Sequence, residues 1–303
     1  MNDLLIGALV VPGLPHPLLC PEKNEGWQRI HDAYTAARAL IKELNAERIV
    51  LYSTQWHSII GHQLLTDPNP KWALVDEEFH ELGTMHYSLT IDAGLGEETV
   101  KAAQARGLTA RGVNYYGFPV DTGSVVALSL LDPAGELPAS IVSRNVYADR
   151  SETVVLGKAT RDAVVASGKR TVAVAVTGLS HRLHTEKIAP SKDHIHSRKD
   201  DEWNRKILDI LANGRLEDVS QLARTFSREA NADARFKALW WLSAVMGEHN
   251  GFIGTVHAYE AIFGTGAAVV SLVPTTASTG DLEYDEDNTE TYKGDRNVLT
   301  VES

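Results

Sequence analysis

Leu4-Leu5-Ile6-Gly7-Ala8-Leu9-Val10-Val11-Pro12-Gly13 decides the fold. It is an apolar run closed by a Pro-Gly turn, the mark of a strand buried on both faces. A helix follows, because Trp27, Ile30, Tyr34, Ala37, Ile41 and Leu44 recur at steps of three and four along one face. Arg48 to Ser53 is a second buried strand, ending in the polar-aromatic corner Ser53-Thr54-Gln55-Trp56-His57. The alternation continues with helices over about Glu97–Arg106 and Ser124–Leu131 and strands over Thr109–Val113 and Ala139–Ser143. Asp149 with Glu152 three residues on makes a capping-box-like start to a helix that ends at Ser167-Gly168. Thr171–Val176 is another continuous strand, followed by a helix carrying Trp203, Ile207 and Leu211 and ending at Asn213-Gly214. Helices over Leu216–Ser227 and Phe236–Met246 precede a last strand around Ala267–Val273.

This pattern predicts an α/β fold with a mainly parallel or mixed central sheet and helices on both faces. No Pro/Gly/Ser-rich linker divides it, so one domain is expected over residues 1–274. Residues 275–303 shift in composition and contain the acidic run Asp281-Leu282-Glu283-Tyr284-Asp285-Glu286-Asp287, read as a solubilising tail or an arm on a partner.

The chain has 303 residues, 29 Lys+Arg and 40 Asp+Glu, for a formal charge of −11. That balance argues against nucleic-acid binding, since phosphate backbones are repelled. One cysteine, Cys20, cannot form an internal disulfide or a thiolate zinc site and reads as a packed free thiol. The N-terminal stretch has no basic n-region, and its apolar run is under half of the roughly 20 residues needed to span a bilayer. A soluble, cytoplasmic protein with no membrane partner is expected.

Sites in open α/β sheets form at the carboxyl ends of strands. Three polar loops follow strands here: residues 13–17, 53–57 and 177–181. Histidines in such loops suit a divalent metal, and His16 and His57 with a carboxylate would make a two-His-one-carboxylate face. The other reading is that each is an ordinary loop residue. His62 is read as surface or interface, and His194 and His196 as solvated. No G-x-G-x-x-G, P-loop or G-x-S-x-G motif is present. Gly178-Leu179-Ser180-His181 lacks the trailing glycine of a nucleophile elbow.

Three stretches carry a resemblance. They are Val50-Leu51-Tyr52-Ser53-Thr54-Gln55-Trp56, residues 110–123 (Ala110 to Gly123, with Asn114-Tyr115-Tyr116-Gly117-Phe118-Pro119), and Asp200-Asp201-Glu202-Trp203-Asn204-Arg205. From about Leu5 to Val273 the sequence resembles the class III extradiol ring-cleaving dioxygenases, the superfamily of the protocatechuate 4,5-dioxygenase β subunit. Within it, the chain looks most like the metal-free α subunit of a two-subunit aminophenol-cleaving enzyme.

The resemblance implies site roles. Catalytic members place an iron-ligand His after the Pro closing the first strand, and Gly13 stands there. The second ligand His precedes the Trp of the second loop, and Gln55 stands there. The third ligand, a Glu, corresponds to Asp233. The acid/base His is retained as His181, and a substrate-side Tyr becomes Thr122. Glycine offers no donor and an amide carbonyl is a weak ligand. The expected protein is therefore a non-catalytic subunit without its own cofactor. It would pair, in an α2β2 hetero-oligomer, with a catalytic paralogue that carries Fe(II) and cleaves a small aromatic substrate, an aminophenol or catechol. Two alternatives stand beside it: an active Fe(II) enzyme in a shifted register (His16, His57, Asp233, with His181 as base), and a metal-free module for an aromatic ligand.

Overall fold

The computed structural model describes residues 4–277 and 280. The acidic run and most of the segment from 275 lie outside them. The ten strands among the described residues are β1 (Leu5–Val11), β2 (Arg48–Ser58), β3 (His62–Leu65), β4 (Lys71–Val75), β5 (Thr84–Ser88), β6 (Ala110–Val113), β7 (Ala139–Asn145), β8 (Thr171–Val176), β9 (Phe252–Ile262) and β10 (Thr265–Pro274). The α-helices are α1 (His16–Leu19), α2 (Glu25–Glu43), α3 (Ala93–Ala105), α4 (Thr122–Leu131), α5 (Arg150–Ser167), α6 (Arg198–Ala212), α7 (Leu216–Ala230) and α8 (Lys237–Met246).

Eight strands form one mixed sheet in the order β6-β3-β7-β2-β8-β1-β10-β9, and β4 and β5 form a separate hairpin. The single domain is an α/β sandwich with helices on both faces. The continuous apolar strands are explained by this double burial. Ala8 and Val10 of β1 enter one core with residues of α3, α5, α6, α7 and α8, while Leu9 and Val11 enter the other with α2 and α4. β8 divides the same way, Ala173 and Ala175 against Val172, Val174 and Val176.

The helix boundaries follow local chemistry. Asn24, Asp92, Asp121, Asp149 and Ser197 each accept a backbone N–H in the first turn of the helix they precede. The capping box at α5 is half formed. Asp149 Oδ1 accepts the Glu152 N–H at 2.8 Å, but the Glu152 carboxylate pairs with His62 Nε2 at 3.1 Å. His62 is thus 1% exposed and part of the interior, which corrects its reading as a surface residue. Cys20 is a buried free thiol. Among the described residues no helix is long and apolar enough to cross a membrane.

β3, β4, β5 and β9 are absent from the sequence reading, and the corner at residues 53–57 proves to be the continuation of β2 to Ser58. β3 has four residues, the hairpin strands are largely exposed, and β9 is an edge strand with few fully buried positions. None carries a strong apolar period.

Candidate functional site

β2, β8 and β1 are adjacent and parallel, so their carboxyl ends meet at one edge of the sheet. This brings together Gly13, the segment Ser53–His57 and the loop Thr177–His181, as their order along the chain suggests.

The first of the expected ligand positions, Gly13, is closed. A Cβ at Gly13 would lie 2.8 Å from Gly123 Cα, 2.9 Å from Val176 Cγ1 and 3.1 Å from Gln55 Nε2. Gly123 belongs to α4, and its own Cβ would meet Ser53 Oγ at 3.0 Å and Gln55 Cδ at 3.2 Å. The start of α4 is locked there by Asp121, whose Oδ1 accepts from Ser53 Oγ at 2.5 Å and the Ser124 N–H at 3.0 Å. Burial pushes this carboxyl up, and its Oδ2 is buried without a partner. Positions 13 and 55 therefore converge, but the space between them is filled by glycine backbone and an amide.

The third position converges too. Asp233 Oδ2 accepts three hydrogen bonds: from Thr54 Oγ1 at 2.7 Å, the Gly178 N–H at 2.9 Å and Thr177 Oγ1 at 3.2 Å. Its Oδ1 lies 4.0 Å from His181 Nδ1. The segment that presents it is strained. Asn231 has φ 49°, and Ala234, Arg235 and Phe236 have φ 49°, 60° and 59°, the left-handed region disfavoured for L-residues. It is tied to the end of the site loop by two bonds between Asn231 and His181: the His181 N–H donates to Asn231 O at 2.9 Å and Asn231 Nδ2 to His181 O at 2.6 Å. His181 itself keeps a side chain that is 37% exposed.

Arg144, on β7, stands opposite His57 in the β2–β7 register. Burial lowers its guanidinium and the Asp233 charge raises it, and its Nε is buried without a partner. His57 is held below the usual imidazole value by burial and by Arg144. Thr122 opens α4 and donates from Oγ1 to Asp76 Oδ2 at 2.7 Å, so its hydroxyl is engaged by the loop after β4.

His16 is elsewhere in chemical terms. It is 2% exposed, with ring centroids 4.6 Å from Trp27, 4.5 Å from Phe79 and 6.3 Å from Phe263. Burial in this aromatic box lowers its pKa to about 4. Among the described residues no three His, Cys, Asp or Glu side chains form a group that could hold a metal ion, so His16, His57 and Asp233 are not brought together as one.

Fe(II) in a two-His-one-carboxylate site needs two imidazoles and a carboxylate free to bind. The three converged positions supply a glycine without room for a side chain, a neutral amide, and a carboxylate with one oxygen already saturated by donors. They do not fit that ion.

Asp121, Arg144, Thr54 and Thr177 were not singled out from sequence. Asp121 had a readable signal, an N-cap residue three before Ser124. Arg144 had none, because it lies one residue past the strand as read at Ala139–Ser143.

A family model described as the catalytic LigB subunit of aromatic ring-opening dioxygenase matches residues 11–270. The 2-aminophenol 1,6-dioxygenase alpha subunit of a Pseudomonas sp is 32% identical over 268 residues, 88% of this chain and 98% of that protein. The beta subunit of the 2-aminophenol 1,6-dioxygenase of a Pseudomonas sp is 31% identical over 287 residues, 89% and 94% of the two chains. A solved structure, an uncharacterized protein from Escherichia coli K12, shares the fold with TM-score 0.61 at 14% identity, covering 88% of this chain and 99% of its own. The two subunit relatives are nearly equally similar, so overall identity does not separate an alpha role from a beta role. The ligand positions have to do that.

Proposed function

Because the chain belongs to the family of the LigB subunit of aromatic ring-opening dioxygenases, we propose that it is the non-catalytic, α-type subunit of a class III extradiol dioxygenase. It assembles with a catalytic paralogue that holds Fe(II) and cleaves an aminophenol or catechol ring. Its own former metal cleft is a packed structural element. The observation that carries this reading is the closure at Gly13: a Cβ there would stand 2.8 Å from the backbone of Gly123. A chain that had only lost its ligand would leave a vacancy, and this one has built α4 and Gln55 into it.

The ring-opening residues belong to the partner in this reading, and this chain supplies surface. Its relatives are named as alpha and beta subunits of one enzyme, which supports a hetero-oligomer. An interface of the obligate class, roughly 2,000 Å² or more, is the expected scale. The shifted register (His16, His57, Asp233) has less support, since His16 sits in an aromatic box and the three form no group.

The test is co-expression with a paralogue that carries both His ligands. The two chains should co-purify, ring cleavage should need both, and His181→Ala in this chain should leave turnover nearly unchanged. A tenfold or greater drop in that variant, with the complex intact and on the order of 1.4 kcal/mol in barrier, would place this chain in the chemistry.

A further inference from the structure

A cavity of about 270 Å³ has a lining that includes Arg224, Arg228, Arg235, Lys237 and Tyr147 and does not include Asp233. We propose that this cavity is a binding site for a small oxyanion, a phosphate or carboxylate group, separate from the former metal cleft. Four cations converge in a chain whose net charge is −11, which is opposite to the average surface.

The site is built at three levels. First, it contains a buried ammonium. Lys237 is 2% exposed, and its Nζ donates to Asn145 O and Val146 O, each at 2.9 Å. An ammonium has three donors, so two carbonyls leave one. Burial, then the charges of Arg144 and Arg235, lower its pKa to about 8, the condition an incoming anion would relieve.

Second, the helix that carries Lys237 opens on the cavity without a cap. The N-cap position of α8 is Phe236, which makes no side-chain cap hydrogen bond, and no acidic residue lies in the first turn. The Lys237 N–H donates to Ala234 O, and the positive dipole end of this ten-residue helix meets no acidic side chain in its first turn.

Third, the guanidinium of Arg235 is aimed by strained backbone at φ 60° and has no hydrogen-bond or ion-pair partner among the described residues. Arg228 pairs with Glu229 at 3.1 Å, but that carboxylate also takes Lys199 at 2.8 Å, so positive charge stays in excess. The one acidic residue of the lining, Asp149, caps α5, and its charge and that of Glu152 offset part of the effect of burial on Lys237. Fork-shaped guanidinium donors with an ammonium and a helix N-terminus are the donor set that oxyanions select.

The full chain, with its partner subunit where the two co-purify, is titrated with inorganic phosphate and separately with malonate. Calorimetry and thermal unfolding are read against sodium chloride at matched ionic strength. Saturable binding and a rise in Tm with at least one of the two are expected. The tighter of the two assigns the ligand class, phosphate ester or carboxylate. In the double variant Arg228→Gln, Arg235→Gln, which changes two exposed side chains, binding should weaken about tenfold or more. Its Tm without anion should stay unchanged. A response equal to that of sodium chloride for both anions, or undiminished binding by the double variant, overturns the proposal.

Discussion

Asp233 is held as a structural residue. Its Oδ2 satisfies Thr54, Thr177 and the Gly178 N–H. The threonine hydroxyls have second acceptors, Val176 O for Thr54 and Gly178 O for Thr177, but no second acceptor is recorded for the Gly178 N–H. Asp233→Ala should therefore cost about 2–3 kcal/mol in chemical denaturation, and Asp233→Asn, which keeps an acceptor, about 1 kcal/mol. Equal and small losses would mean that the three donors do not depend on it. His16 is the second informative residue. Folded, it refuses a proton until about pH 4, against an ordinary value of 6.5. Its contribution is fully present above about pH 6.5 and is lost as pH falls towards 4, on the order of 3 kcal/mol in all. Glu217 opposes it, because burial raises that carboxyl to about 7 and its contribution is lost as pH rises from 4.5. The measurement is thus a difference: His16→Phe should match the parent near pH 7.5 and gain on it at pH 4.5. Parallel stability curves for the two proteins would refute this.

At the scale of elements, the meeting of β1 with α4 is the decisive contact. Gly13 leaves β1 against Gly123 of α4, with Asp121 pinning the helix start. Gly13→His should lower stability by about 1–3 kcal/mol, the usual cost of overpacking, because the nearest obstacle is the Gly123 backbone, with the Val176 and Gln55 side chains behind it. Restoring Gln55→His and Asp233→Glu beside it should not recover a tight iron site until α4 is displaced. Strong Fe(II) binding by the triple variant at parental stability would show that the contact is soft. The elements that build this edge were legible because double burial writes itself as continuous apolar strands, as in β1 and β8. The hairpin β4–β5 and edge strand β9 were not, since their exposed faces tolerate Lys71, Trp72 and Thr255 alike. The residues at the expected ligand positions, Gly13, Gln55 and Asp233, were readable as residue identities. That Gly13 is closed, or that Arg144 lies near Asp233, depends on strand order and register, which no local pattern encodes.

At the scale of the whole molecule, residues 11–270 match the family model and fold as one domain. Of the tryptophans, Trp27, Trp56, Trp240 and Trp241 are buried and Trp203 packs against the core, while Trp72 is 51% exposed beside Tyr116. Trp72, Tyr115 and Tyr116 on the β4–β5 side and Tyr147 before α5 are the exposed aromatic residues among those described, and aromatic residues are what interface centres use. Metal content is the most direct test. The purified chain is loaded anaerobically with Fe(II), and iron per chain is measured by elemental analysis after removal of loosely held ion. Far less than one iron per chain is predicted, with about one per pair when the catalytic paralogue is present. Near-stoichiometric iron on this chain alone would contradict the account.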